Sequence, residues 1–132
     1  MKLKTAQIAP VRQQLLAKQG RLCAVCQMTI ARDNDVLDHC HKHGALRGVL
    51  HRSCNSLLGV LENNRARYGL GDDAQFAAFL QGAGAYIERH KLPQTRYLHP
   101  TFLTEEEKRL KRNATARKKR ATSSPKSTKA TV

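Results

Sequence analysis

The strongest constraint on this chain is a cluster of side chains that bind metals. All four cysteines and four of the six histidines lie between residues 23 and 54. Within this stretch there is one Cys-x-x-Cys pair and one His-x-x-Cys pair. A tight turn across such a spacing points both side chains inward, and two pairs complete the tetrahedral shell of a structural zinc ion. The sequence therefore predicts a zinc site made of Cys23, Cys26, His51 and Cys54.

Zinc would also compensate for a small hydrophobic core. The chain of 132 residues is the size of one domain, contains no Trp, and has only three Phe and three Tyr. A structural zinc ion supplies an apparent binding energy on the order of 10–16 kcal/mol, realised only on folding. A lone Cys-x-x-Cys pair also fits a redox motif, but no βαβ pattern surrounds this one. Either Cys40 or His43 could replace His51 as the fourth ligand.

The charge of the chain is strongly positive and unevenly spread. Lys and Arg number 24 against 10 Asp and Glu, which gives a formal net charge of +14, and the last 28 residues carry half of it. A charge of this size favours a polyanionic partner. Nucleic acid is favoured over a membrane because no apolar amphipathic face accompanies the basic runs.

The sequence shows no pattern typical of export or membrane insertion. The N-terminal residues lack the continuous apolar region of a signal peptide, and the longest apolar stretch, AQFAAFL at 74–80, is too short to span a bilayer. We therefore expect an intracellular, cytoplasmic protein with no membrane partner. In that reducing compartment, clustered Cys and His side chains bind metal more often than they form disulfides.

Local patterns predict a small α+β fold. Residues 36–51 are expected to form two strands that meet around Lys42–Gly44. A helix is expected over 10–20, with Pro10 in its first turn, and Ser53 is expected to cap a second helix.

A third helix is predicted after Asp72 or Asp73, either of which can cap it. Apolar side chains recur along it at helical spacing. They are expected to face the core, and they are Phe76, Phe79, Leu80, Ala83, Tyr86 and Ile87.

The C-terminal part is predicted to form a basic helix and a tail. Thr104 and Glu107 have the spacing of a capping box at the start of a helix. Residues 121–132 lack a core-forming pattern and are expected to be disordered. The predicted organisation is a zinc-containing domain with a helical extension at 1–104, followed by a basic helix and disordered tail at 105–132.

A second set of side chains suits a different metal. Asp38, His39 and His41 lie on the predicted first strand, and Asn55 directly follows Cys54. Strand alternation puts the two histidines on one face and the aspartate on the other. Carboxylate and amide oxygens are hard donors that suit magnesium better than zinc. Two different metals are therefore predicted, although a polar surface strand or spare zinc ligands would also fit these residues.

Taken together, these motifs resemble a known family. CAVC at 23–26 and LDHCHKHGALRGVLHRSCNSLLG at 37–59 are similar to the phage recombination endonuclease VII family of His-Me finger (ββα-metal, HNH-type) nucleases. In that family, two Cys-x-x-Cys pairs flank a DHDH-like strand, which is followed by an RG(L/V)L strand and a helix that starts with CN. Here His51 replaces a zinc-binding cysteine and Cys40 replaces the second aspartate.

The resemblance implies both a fold and an activity. The fold is a ββα-metal core held by structural Zn²⁺, with additional α-helices. The activity is DNA endonuclease in phage recombination or DNA processing, with branched DNA such as a Holliday junction as substrate and a homodimer as the working form. His39 is implied to be the general base and His41 to contact the scissile phosphate or orient the site. Asp38 and Asn55 are implied to hold a catalytic Mg²⁺, for which Mn²⁺ can substitute.

Several basic side chains are candidates for contacting DNA. Those before the predicted tail lie near the motifs, and an ordinary solvated role fits them equally well. The candidates are Arg47, Arg52, Arg65, Arg67, Lys118, Lys119 and Arg120.

Two other functions fit the same motifs. A nicking or homing endonuclease of the HNH type would recognise the sequence of DNA and not its branching. A zinc module that binds nucleic acid without cutting it would leave Asp38, His39 and Asn55 without a catalytic role. The endonuclease is favoured because these three residues accompany the zinc-binding pairs at the spacing of the family.

Overall fold

A computed structural model describes residues 1–125 as a small α+β protein, which confirms the predicted fold class. Contacts within the chain divide it into two units, the first from Met1 to Tyr86 and the second from Ile87 onwards. No helix among the described residues is long and apolar enough to cross a membrane. The elements in chain order are α1 (Thr5–Lys18), β1 (Asp35–His39), β2 (Leu46–His51), α2 (Arg52–Asn64), a short 3₁₀ turn (Arg65–Tyr68), α3 (Asp73–Arg89) and α4 (Glu105–Ser123).

The two strands form the predicted antiparallel hairpin. Asp35 pairs with His51 at one end, and the regular register breaks between Asp38 and His39. The strands are joined by a turn in which Gly44 has a φ of 75°, a conformation that costs glycine little because it has no Cβ. The break in register is a β-bulge, and a bulge changes where neighbouring side chains point.

Two of the predicted helix starts are wrong. α1 begins at Thr5 and contains Pro10 in its interior. The backbone N–H of Lys4 donates to Gln7 Oε1 at 2.8 Å, so the N-terminal end of the helix is capped upstream of Pro10. Pro10 has no backbone N–H to donate, and the helix tolerates this at an exposed position. α2 begins at Arg52 directly after β2, which places Ser53 inside the helix and makes His51 the N-terminal cap residue.

The hydrophobic core is as small as the composition predicts. Its buried members are Leu16 from α1, Ile30, and Val49 and Leu50 from β2, together with Cys23. Because Cys23 is itself a predicted zinc ligand, the zinc-binding group and the core are one continuous structure.

Gln19 connects the end of α1 to β2. Its Oε1 accepts from the backbone N–H of Val49 at 2.8 Å, and its Nε2 donates to the Val49 carbonyl at 2.9 Å. Gly48 makes this approach possible, because a Cβ there would lie 3.1 Å from Gln19 Oε1 and 3.1 Å from Ala24 Cβ.

The predicted core-facing surface of α3 is mostly exposed. Phe76 is buried, but Phe79, Leu80, Tyr86 and Ile87 are between 37% and 65% exposed. The prediction was wrong for these four because the small sheet packs against α1 and α2. Helical spacing identifies an apolar face but not what covers it.

The basic helix is confirmed as α4. Thr104 caps it, and Glu107 completes the predicted capping box by accepting from the Thr104 backbone N–H at 2.7 Å. The helix continues to Ser123, so the predicted disorder is wrong for residues 121–123. Residues 124 and 125 follow the helix without regular structure, and the rest of that prediction, at 126–132, lies outside the described residues.

Candidate functional site

Four side chains converge to form a candidate zinc site. The ligand atoms of Cys23, Cys26, His51 and Cys54 all lie within 4.8 Å of one another. His51 Nδ1 is 3.3 Å from Cys26 Sγ and 3.8 Å from Cys54 Sγ. These are the four residues predicted from the spacing, and the alternatives Cys40 and His43 are not part of the group.

Local backbone structure brings each pair of ligands inward. The first pair lies in a tight turn, in which the Gln27 N–H donates to the Cys23 carbonyl at 3.0 Å and the Cys23 N–H donates to the Met28 carbonyl at 2.9 Å. Gln27 has a φ of 62° at this turn. The second pair straddles the junction of β2 and α2, where the strand passes into the helix without a loop. A metal here would tie the turn to that junction.

The chemistry of the donor set fits zinc. Burial raises the pKa of Cys23, but hydrogen bonds from the backbone N–H groups of Cys26, His51 and Val25 outweigh it and lower that pKa to about 6. Burial and the neighbouring cysteines raise the pKa of Cys54 to about 11. Three thiolates this close would repel one another, and the charge of a divalent cation would offset that repulsion and keep the coordinating thiols deprotonated.

The second nitrogen of His51 determines how the ring would bind zinc. Nε2 lies 3.1 Å from the carbonyl oxygen of Thr29. A carbonyl can only accept, so Nε2 carries the proton and Nδ1 presents its lone pair to the group of sulfurs. This arrangement, in which a backbone carbonyl orients a ligand histidine, is typical of protein zinc sites.

Three of the four predicted catalytic residues, Asp38, His39 and His41, lie at or just after the bulge of the hairpin, and the fourth, Asn55, lies on α2. His39 ends β1 and is exposed, and the centre of its ring is 5.0 Å from that of His41. Asp38 is only 6% exposed. Asn55 is half-buried in the first turn of α2, directly after the zinc-group residue Cys54.

Asp38 has a partner that the sequence did not reveal. Arg47 donates to both oxygens of its carboxylate, from Nε to Oδ2 at 2.7 Å and from Nη2 to Oδ1 at 3.2 Å. Arg47 Nη2 also lies 2.9 Å from Oε1 of Glu62, on α2. No local pattern identifies Glu62, because it reaches the site through the packing of α2 on the hairpin.

A cavity of about 870 Å³ opens next to these residues. Its walls include Asp38, His41, Arg47, Glu62 and Arg65. The cavity is large enough for a substrate group, and its walls combine acidic, basic and imidazole side chains. A phosphate-containing ligand and a cation could therefore both be bound there.

The predicted DNA-contacting arginines divide into two groups. Arg47 pairs with carboxylates as described, and Arg65 forms an ion pair with Asp73 while lying 4.9 Å over the ring of Phe76. The side chains of Arg52 and Arg67 are exposed. Lys118, Lys119 and Arg120 are exposed near the end of α4.

Comparison with known proteins gives one family. The model of the family described as recombination endonuclease VII matches residues 2–88, which include both candidate metal groups. No curated protein matches the chain.

The zinc assignment predicts how the four cysteines react. In the metal-loaded protein an alkylating reagent should modify Cys40 alone, because zinc occupies the sulfurs of the other three. After chelation all four should react, and the circular dichroism of the protein should show unfolding, since the binding energy of the metal is folding energy in a chain with so small a core. Mass spectrometry counts the modified thiols, and elemental analysis should give one zinc per chain.

His51 provides the sharper test of the ligand set. His51→Cys should retain zinc, because it restores four thiolates, whereas His51→Ala should lose it. Cobalt substitution reports the number of thiolates through the intensity of its sulfur-to-metal absorption. Full zinc retention by His51→Ala would show that another residue is the fourth ligand.

Proposed function

The chain belongs to the recombination endonuclease VII family, and on that premise we propose that it is a Mg²⁺-dependent DNA endonuclease. The observation that carries the proposal is the position of His39. This exposed imidazole ends a strand directly after the buried carboxylate Asp38, and both residues lie within the segment that matches the family.

His39 is proposed as the general base. An imidazole can accept a proton near neutral pH, and its exposure gives it access to water. His39 takes a proton from a water molecule, the water oxygen attacks the phosphorus, and the bond to the 3′ oxygen breaks. The leaving 3′ oxygen takes up a proton from solvent, so the products are a 5′ phosphate and a 3′ hydroxyl. His41, with its ring 5.0 Å away, is proposed to contact the scissile phosphate.

Asp38 and Asn55 are proposed to hold the catalytic cation. Both offer oxygen donors, which Mg²⁺ and Mn²⁺ prefer. When bound, the ion would stabilise the negative charge that develops on the phosphate and the leaving oxygen. The position of Asn55 in the first turn of α2 supports this role, because the positive end of a helix dipole favours a nearby phosphate.

The catalytic assignment predicts a large loss of activity without a loss of fold. His39→Ala and Asn55→Ala should each slow Mg²⁺-dependent cleavage of DNA by roughly 10²-fold or more, the usual contribution of a positioned acid–base group. Zinc content and thermal unfolding should remain those of the wild type. His99→Ala is the matched control, because that histidine lies outside the segment that matches the family.

Retention of wild-type rates by both catalytic variants would refute the assignment. Absence of cleavage by the wild-type protein with every divalent ion would instead favour a zinc module that binds nucleic acid without cutting it.

We propose that residues 1–104 form the nuclease domain and that residues 105–132 form a tail that binds DNA phosphates. The first turns of α4 pair their charges internally, since Lys108 lies 2.7 Å from Glu105 and Arg109 lies 3.3 Å from Glu106. Within the described residues, the basic side chains later in the helix have no ion-pair partner. They are Lys111, Arg112, Arg117, Lys118, Lys119 and Arg120.

This difference along α4 predicts which cations control the salt dependence of binding. Replacing Lys118, Lys119 and Arg120 together by Ala should weaken DNA binding and lower the slope of log K against log salt by about 2–3, because each phosphate contact contributes roughly 0.9. Replacing Lys108 and Arg109 by Ala should change the slope less, because their charges are already compensated. Fluorescence anisotropy at several salt concentrations measures both slopes.

Deletion of residues 108–132 tests the tail as a whole. It should flatten the salt dependence at least as much as the triple replacement. An unchanged slope would show that the tail is only a spacer.

We also propose that the protein works as a homodimer on branched DNA. Paired incisions across a junction need two active sites related by symmetry. The exposed apolar face of α3 within the first unit supports the proposal, since Phe79 is 47% and Leu80 is 37% exposed. A second copy of the chain could cover these side chains by packing the same face against them.

A panel of substrates with one shared sequence tests this proposal. A four-way junction should be cut faster than a flap or a linear duplex, and mapped ends should show symmetrically paired cuts. Light scattering should give the mass of a dimer, and Phe79→Glu should shift it toward the monomer. Cleavage of the linear duplex at one sequence, with no preference for the junction, would instead identify a sequence-preferring endonuclease.

A further inference from the structure

Arg47 lies between two carboxylates at the edge of the cavity. Its Nε and Nη2 donate to the two oxygens of Asp38 at 2.7 Å and 3.2 Å, and Nη2 lies 2.9 Å from Glu62 Oε1. Two parallel hydrogen bonds from a guanidinium are among the strongest and most directional contacts that a carboxylate can receive. Both oxygens of Asp38 are therefore engaged.

The β-bulge explains why Arg47 occupies this position. The register pairs Asp38 with Gly48 and His39 with Leu46, so Arg47 is the extra residue of β2. An extra residue departs from the regular alternation of a strand. The bulge therefore allows the Arg47 side chain to bond the Asp38 carboxylate on the neighbouring strand.

The charges of this trio do not cancel. Two carboxylates and one guanidinium leave one negative charge, and their side chains are only 8% (Asp38), 23% (Glu62) and 35% (Arg47) exposed. The hydrogen bonds to Asp38 and Glu62 raise the pKa of Arg47 above its ordinary value, so the guanidinium stays charged. A partly buried excess of negative charge attracts a cation from solution.

A cation that binds Asp38 must compete with Arg47. Mg²⁺ binds oxygen at about 2.0–2.1 Å, so an ion on either oxygen of Asp38 would lie close to the guanidinium that donates to both of them. The two positive charges would repel each other. Glu62 already shares Nη2 of Arg47, so it offers the guanidinium a second acceptor without requiring it to leave the site.

We propose that Arg47 is a positioning residue that holds Asp38 in place until a divalent cation binds, and that Glu62 then retains the guanidinium. This inference rests on the proposed role of Asp38 as a cation ligand. Glu62 acts through Arg47 and is not itself a ligand. In the free protein Arg47 thus balances the negative charge of the buried Asp38 carboxylate, and when the metal binds, Asp38 coordinates the metal in place of Arg47.

The test measures cation binding directly in the zinc-loaded protein. The signal of free Mn²⁺ in electron paramagnetic resonance gives its Kd without any cleavage reaction, and Mn²⁺ does not displace zinc from thiolates. Arg47→Gln should bind Mn²⁺ roughly tenfold more tightly, because the competing charge is gone. Glu62→Leu should bind it roughly tenfold more weakly, because Arg47 then has no acceptor other than Asp38.

A double-mutant cycle separates an indirect role of Glu62 from a direct one. In the Arg47→Gln background, Glu62→Leu should change the Kd by less than about threefold. Equal weakening in both backgrounds would show that Glu62 binds the cation itself and would overturn the proposal. An unchanged Kd in Arg47→Gln would overturn it as well.

Two further variants complete the design. Arg12, on α1, lies 2.9 Å from Asp35, which is on β1 like Asp38. The side-chain exposures of this pair, 31% and 10%, resemble those of the Arg47–Asp38 pair. Arg12→Gln should therefore leave the Kd unchanged, and an equal tightening there would attribute the effect to net charge alone. Asp38→Asn should abolish Mn²⁺ binding. Wild-type affinity in that variant would show that Asp38 is not a cation ligand, which would refute the proposed metal assignment and, with it, the positioning role of Arg47. Zinc content confirms that each variant is folded.

Discussion

The convergence of three thiols and one imidazole is the constraint on which the first unit depends. Cys23 is fully buried within the core cluster, and Cys54 packs against that cluster. His51 is both the last residue of β2 and the N-terminal cap residue of α2. One bound ion would therefore fix the tight turn at Cys23 and Cys26, the end of the hairpin and the start of α2 at once. A core of so few buried side chains could not hold these three parts in register by hydrophobic contact alone.

Local sequence information was sufficient wherever a short-range rule determines the structure. The spacing of ligand pairs identified the zinc group, the expected meeting of two strands around Lys42–Gly44 identified the hairpin, and Thr104 with Glu107 identified the start of α4. Each of these patterns is read from residues within a few positions of one another, and only the meeting of the two ligand pairs spans a longer stretch of the chain. The same rules misplaced the start of α1, because the Lys4–Gln7 bond satisfies the helix end before Pro10.

The remaining features depend on contacts between distant parts of the chain. Helical spacing does not determine whether Phe79 is buried, because burial depends on which elements already cover the sheet. The link between Arg47 and Glu62 requires both the bulge in β2 and the packing of α2 on the hairpin. Neither is encoded in a short pattern. The family resemblance supplied the proposed catalytic residues of β1 but gave no information about the charges that surround Asp38.

On the proposed assignment, the adjacency of Cys54 and Asn55 would let a small fold separate two kinds of metal chemistry. Successive residues on a helix point about 100° apart, so one turn of α2 can direct a sulfur to the zinc group and an amide toward the hairpin. Thiolates select zinc, and oxygen donors select magnesium or manganese. The two sites can therefore be adjacent and still select different metals. A structural ion would position the first turn of α2, and the same turn carries the proposed ligand of the catalytic ion, so the stability of one site would set the geometry of the other.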